Sequence, residues 1–125
     1  MEHANVRRVL IADDDAGLRS ALKLALEANG YRVQLAANGG EALALQGQDP
    51  ADVLITDIFM PESDGFEAIE AFRRNFPSTK IIAISGGAPM VKTNYLDAAG
   101  LIGVDASLQK PFEMDELLNL LRRMQ

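Results

Sequence analysis

The chain has 125 residues, the usual size of one domain, and its 48% hydrophobic content suffices for one core without room for a second folded unit. A formal net charge of −6, with no Lys/Arg cluster, argues against a nucleic-acid-binding surface, which needs cations to neutralise phosphates. Cysteine is absent and the single histidine is His3, which removes disulfides, thiol catalysis and a zinc site from consideration.

Residues 1–8 lack the apolar stretch of a signal peptide, and no apolar run approaches the roughly 18 residues of a membrane span. The expectation is a cytoplasmic protein with no membrane partner. Val9-Leu10-Ile11 then forms a short continuous apolar run that stops at Asp13-Asp14-Asp15, and Leu18, Leu22, Ala25 and Leu26 follow at helical spacing. Asn29-Gly30 ends that helix, and Tyr31, Val33 and Leu35 alternate with polar neighbours as in a half-buried strand. A second helix is predicted from Asn38 or Gly39 through Leu45.

Val53-Leu54-Ile55 repeats the pattern of an apolar run, here stopping at Thr56-Asp57. After a loop with Pro61 and Asp64-Gly65 come Phe66, Ile69, Phe72 and Phe76 at helical spacing. Ile81-Ile82-Ala83-Ile84 is a third run, halted by Ser85-Gly86-Gly87, and residues 94–99 read as a fourth helix. Ser107-Leu108-Gln109 makes a weak last strand. Glu113 is positioned to cap a final helix whose stripe is Met114, Leu117, Leu118 and Leu121.

Five strands alternating with five helices imply a parallel sheet covered on both faces, because parallel neighbours require crossover connections. Strands one, three and four are continuously apolar and belong inside the sheet, whereas two and five are mixed, as edges allow. The fold class expected is α/β, a flavodoxin-like (βα)5 doubly wound sheet with strand order 2-1-3-4-5.

In such sheets ligands bind beyond the carboxyl ends of the strands. Those ends carry Asp13-Asp14-Asp15, Asp57, Ser85 and Lys110-Pro111. Each has a bland explanation taken singly: aspartates cap helices, Asp57 can organise a turn, Ser85 can bond to backbone and Lys110 can be solvated. Acids, a hydroxyl and an amine supplied together to one edge are what phosphoryl transfer requires. Two carboxylates about 4 Å apart repel by roughly 4 kcal/mol at an effective dielectric near 20. Such a cluster must protonate in part or recruit a cation, and an all-oxygen donor set suits Mg²⁺.

The segments Val9-Leu10-Ile11-Ala12-Asp13-Asp14-Asp15, Thr56-Asp57-Ile58-Phe59-Met60-Pro61 with Asp64-Gly65, Ile84-Ser85-Gly86 and Lys110-Pro111-Phe112 resemble, in order and spacing, the receiver domains of two-component response regulators. The resemblance is to single-domain, chemotaxis-regulator-like members and spans nearly the whole chain. With the length already read as one domain, the expectation is a single receiver domain over residues 1–125, frayed over 1–5 as termini commonly are and without an effector domain. The resemblance makes Asp57 the phosphoacceptor, with a sensor histidine kinase or histidine phosphotransfer protein as donor and a downstream protein as target. Mg²⁺ would be held by Asp14, Asp57, the Phe59 backbone carbonyl and waters, with Asp13 orienting one water. Ser85 and Lys110 would bind phosphoryl oxygens, Asp15 would be spare acid used in capping, and the Lys110–Pro111 bond would be cis. Such a protein promotes its own phosphorylation and dephosphorylation and is not a conventional turnover enzyme.

The sequence departs from the family pattern at Ser107, where many receivers carry the aromatic that follows the hydroxyl residue inward on activation. Residues 86–103 are also longer than the family norm, which makes that segment, with Tyr95, a candidate switching element. Two other functions compete. A receiver-like interaction module that no longer uses phosphate would fit the missing aromatic. A small haloacid-dehalogenase-type phosphatase would use Asp13 as its nucleophile, within Asp13-Asp14-Asp15.

Overall fold

The computed structural model describes residues 7–58, 65–85 and 104–124, with the side chains of residues 65 and 66 left aside. Its elements run β1 (Arg8–Ala12), α1 (Ala16–Ala28), β2 (Arg32–Ala36), α2 (Gly39–Gln48), β3 (Val53–Asp57), α3 (Gly65–Asn75), β4 (Lys80–Ser85), β5 (Ala106–Gln109) and α4 (Met114–Arg123). The helix expected over residues 94–99, the segment 86–103 with Tyr95, and residues 1–5 lie outside the described residues.

The five strands form one parallel sheet in the order β2-β1-β3-β4-β5, as the strand chemistry predicts. Alternate residues of each inner strand supply opposite faces, so a continuous apolar run is needed where both faces are covered. Val9, Ile11, Val53, Ile55, Ile82 and Ile84 pack with Leu22 and Leu26 of α1 and Leu117, Leu118 and Leu121 of α4. Leu10, Leu54, Ile81 and Ala83 face the other way, against Ala42 of α2 and Ile69 and Phe72 of α3.

The edges account for the weaker signals. In β2 Val33 and Ala36 are buried but Leu35 is only half-buried, so the alternation read from Tyr31 to Leu35 breaks at its last position. In β5 only Leu108 is buried, and Ser107 is exposed. The second helix runs three residues past Leu45, to Gln48, because Gln46 is drawn into the interior. There its amide donates to Thr79 Oγ1 at 2.9 Å and accepts from the Ala51 N–H at 2.9 Å.

Helix starts follow capping chemistry. Asp15 Oδ1 accepts from Leu18 N–H at 3.1 Å and Asn38 Oδ1 from Glu41 N–H at 2.9 Å. Glu113 holds the N-cap position of α4, and the Glu116 carboxylate reaches back to its N–H at 2.9 Å. Gly30 closes α1 with φ of 93°, a conformation that other residues rarely adopt.

Candidate functional site

Because the inner strands are parallel and in register, their carboxyl ends arrive at one rim. Ala12 pairs with Thr56 and Asp57 with Ile84, which places Asp13, Asp57 and Ser85 at neighbouring strand ends. The last residue of β4 is tied to the residue after β5 by Lys110 N–H donating to Ser85 O at 2.7 Å. The same rim thus receives residues separated by almost the whole chain.

One carboxylate oxygen from each of Asp13, Asp14 and Asp57 lies within 4.8 Å of the other two. Asp13 and Asp57 are buried while Asp14 is exposed, so the cluster is open on one side. At that separation each pair repels by roughly 3 to 4 kcal/mol at an effective dielectric near 20. Lys110 offsets part of this: its Nζ stands 3.0 Å from Asp13 Oδ2 and 3.1 Å from Asp57 Oδ2. Only the Asp57 contact has hydrogen-bond geometry, and Asp13 Oδ2 is held by charge alone. Burial by itself would lower the lysine pKa, but its contacts with Asp13 and Asp57 outweigh that and raise it above the ordinary value. Lys110 is therefore an ammonium at neutral pH.

One ammonium does not balance three carboxylates, and an all-oxygen cluster of this kind fits a hard divalent cation. Ser85 adds a second indication of a ligand. Its hydroxyl is completely buried yet has no hydrogen-bond partner among the described residues, an arrangement that costs free energy unless another group arrives to accept from it. Phe59, whose carbonyl the resemblance assigns to the metal, lies outside the described residues. Asp15 points its carboxylate into the α1 cap, as expected of the spare acid. The Lys110–Pro111 bond is cis.

Sequence reasoning overlooked Arg19. Its guanidinium Nη1 donates to the Asp13 carbonyl at 2.7 Å, on the loop that carries the acids. A signal was available, since a cation in the first turn of a helix opposes the macrodipole and calls for a local acidic reason.

A five-stranded parallel sheet in this order, with acids after strands one and three and a lysine after strand five, defines a receiver-type signalling module. The chain belongs to the response regulator receiver domain family, whose model matches residues 9–122. It is 36% identical over 118 residues to Response regulator MprA of Mycolicibacterium vanbaalenii, covering 94% of this chain and 49% of that protein. The Mycobacterium tuberculosis protein of the same name is also 36% identical, with 50% of its length covered. The chain thus spans about half the length of these curated relatives. Among solved structures, a CheY-like receiver domain protein from Methanospirillum hungatei superposes with a TM-score of 0.86 at 30% identity, covering 96% of this chain and 94% of that one. The chemotaxis response regulator CheY4 of Vibrio cholerae gives 0.83 at 32% identity, covering 97% and 100%. Receiver domains are signalling modules that work with histidine kinases rather than conventional enzymes. No helix among the described residues is long and apolar enough to cross a membrane.

Proposed function

We propose that this chain is a phosphorelay response regulator that takes a phosphoryl group onto Asp57 from a sensor histidine kinase or histidine phosphotransfer protein. The observation that carries the reading is the meeting of the Asp13, Asp14 and Asp57 carboxylates within 4.8 Å, with Lys110 Nζ 3.1 Å from Asp57. A bound Mg²⁺ would supply charge neutralisation for acids and phosphate together, held by Asp14, Asp57 and the Phe59 carbonyl, with Asp13 orienting a water.

The chain's own residues do the rest. An Asp57 carboxylate oxygen attacks phosphorus, the P–N bond to the donor imidazole breaks, and the imidazole nitrogen keeps the electron pair. Lys110 exchanges its contact with Asp57 Oδ2 for a phosphoryl oxygen, and the buried Ser85 hydroxyl donates to another. Both act on charge that builds up in a loose transition state, where positioning and electrostatics dominate. Output passes through contacts with a downstream protein in the cytoplasm, residues 1–125 acting as one receiver unit without nucleic-acid or membrane contacts. Because residue 107 is serine, switching cannot run through an aromatic at that site.

Incubation with Mg²⁺ and acetyl phosphate, read by intact mass, tests the proposal. One phosphoryl increment is expected in wild type and none in Asp57→Ala. No increment in wild type would favour the phosphate-independent module, and an acyl phosphate retained by Asp57→Ala and lost in Asp13→Ala would favour the phosphatase.

A further inference from the structure

We propose that Arg19 is a positioning residue for the acid cluster: its guanidinium fixes the peptide between Asp13 and Asp14 and so sets where the Asp14 carboxylate stands for a divalent cation. The inference rests on the magnesium-dependent reading above and concerns a residue outside the acid, hydroxyl and lysine set.

The two flanking aspartates of the loop are tied down by other means. Asp13 donates its N–H to Ala36 O at 3.1 Å, its Oδ1 accepts from Asp15 N–H at 2.9 Å, and its Oδ2 faces Lys110. Asp15 is held by the α1 cap. Asp14 is exposed, and no hydrogen bond holds its side chain among the described residues. The backbone that precedes it therefore sets where its Cα–Cβ bond starts and points, which limits where the carboxylate can reach. The peptide is planar, so a partner that fixes the Asp13 carbonyl also fixes the Asp14 N–H and the departure of its Cα. That partner is Arg19 Nη1, at 2.7 Å in a partly buried, charge-assisted bond.

Arg19 is itself anchored, since its N–H donates to Asp15 O at 3.0 Å in the first turn of α1. Helix formation does not account for a cation there, because the amino end of a helix is already positive. Two effects on cation binding have opposite signs. As a charge, the guanidinium would repel Mg²⁺; as a positioning group, it would hold a ligand in place for Mg²⁺. Removing the side chain therefore distinguishes them.

Mg²⁺ affinity is measured by calorimetric titration and by the Mg²⁺ dependence of Tm for wild type, Arg19→Met and Arg19→Lys. Loss of an outer-sphere partner of a metal ligand weakens binding by about tenfold or more. The expected result is a loss of about that size in Arg19→Met, an intermediate loss in Arg19→Lys, and acetyl phosphate labelling of Arg19→Met that recovers when Mg²⁺ is raised. Unchanged affinity with a lowered Tm would mean a merely structural role, and tighter binding in Arg19→Met would mean a purely electrostatic one; either overturns the proposal. If Arg19→Met does not fold, Arg19→Lys decides, with weakened binding supporting the proposal and wild-type binding overturning it. Wild type that binds no Mg²⁺ would sink the magnesium reading and this inference together, an outcome distinct from wild-type binding that Arg19→Met leaves unaltered.

Discussion

Lys110 illustrates how one side chain can serve stability and chemistry with the same charge. Its ammonium sits between Asp13 and Asp57, whose side chains are 1% and 7% exposed, while its own is 26% exposed. Replacing it with methionine leaves two buried carboxylates facing each other without a cation, a change that costs several kcal/mol at fully buried sites and less where water reaches. Lys110→Met should therefore destabilise the protein by about 1–2 kcal/mol in urea melts without Mg²⁺. The pH dependence follows from the raised pKa of the folded-state lysine. A raised value means the contribution is complete below the unfolded lysine pKa and is lost only as pH climbs through the folded one. The gap between wild type and Lys110→Met should stay level from about pH 7 to about pH 9 and close only in strongly alkaline solution. A gap that closed near neutrality would show that Lys110 is not held by the acids.

At the scale of elements, the loop after β1 shows how a helix start can be built into a reactive site. Asp13-Asp14-Asp15 is too acidic for capping alone, and the structure divides the labour. Asp13 and Asp14 turn to the rim, while Asp15 accepts from Leu18 N–H and begins α1. An N-cap aspartate contributes about 1 kcal/mol relative to alanine. Asp15→Ala should lower stability by about that amount in chemical denaturation and still accept a phosphoryl group from acetyl phosphate. Loss of labelling in a folded Asp15→Ala protein would reassign it to the site. The element boundaries obey the same local logic: Asn38 and Glu113 start α2 and α4 where side-chain oxygens can meet free N–H groups, and Gly30 ends α1 because a left-handed residue is needed there.

For the whole molecule, acid crowding at the rim makes folding and cation binding linked equilibria. A ligand that binds only the folded state stabilises it by about 2.7 kcal/mol at one hundred times its Kd. Millimolar Mg²⁺ should raise Tm over that in EDTA. Asp57→Asn should raise the Tm of the metal-free protein by a few degrees, since about 1 kcal/mol of relieved repulsion moves a domain of this size by roughly 2–8 °C. The variant gives up one attraction, to Lys110, but removes two repulsions, from Asp13 and Asp14, so a net relief of that small size remains. The same substitution should reduce the Mg²⁺-induced shift. Melting curves that coincide with and without Mg²⁺ would remove the metal from the mechanism.

Local rules determined what lies close in the chain. Continuous apolar runs at Val9, Val53 and Ile81 marked the inner strands, because a strand covered on both faces favours apolar residues on both and confines its polar ones to the end that carries the site. Asp15 and Glu113 marked helix starts, and the mixed compositions of β2 and β5 marked the edges. The motifs at Asp13-Asp14, Asp57, Ser85 and Lys110 made the site legible as a set of strand ends. Only the tertiary structure decided how those ends meet. That Lys110 bridges Asp13 and Asp57, that Ser85 hides its hydroxyl unpaired, and that Arg19 grips the Asp13 carbonyl depend on distances across the sheet and around the first turn of α1. Periodicity records which face of an element is buried; which charges share a rim is set by strand register and loop path, and those are properties of the assembled sheet.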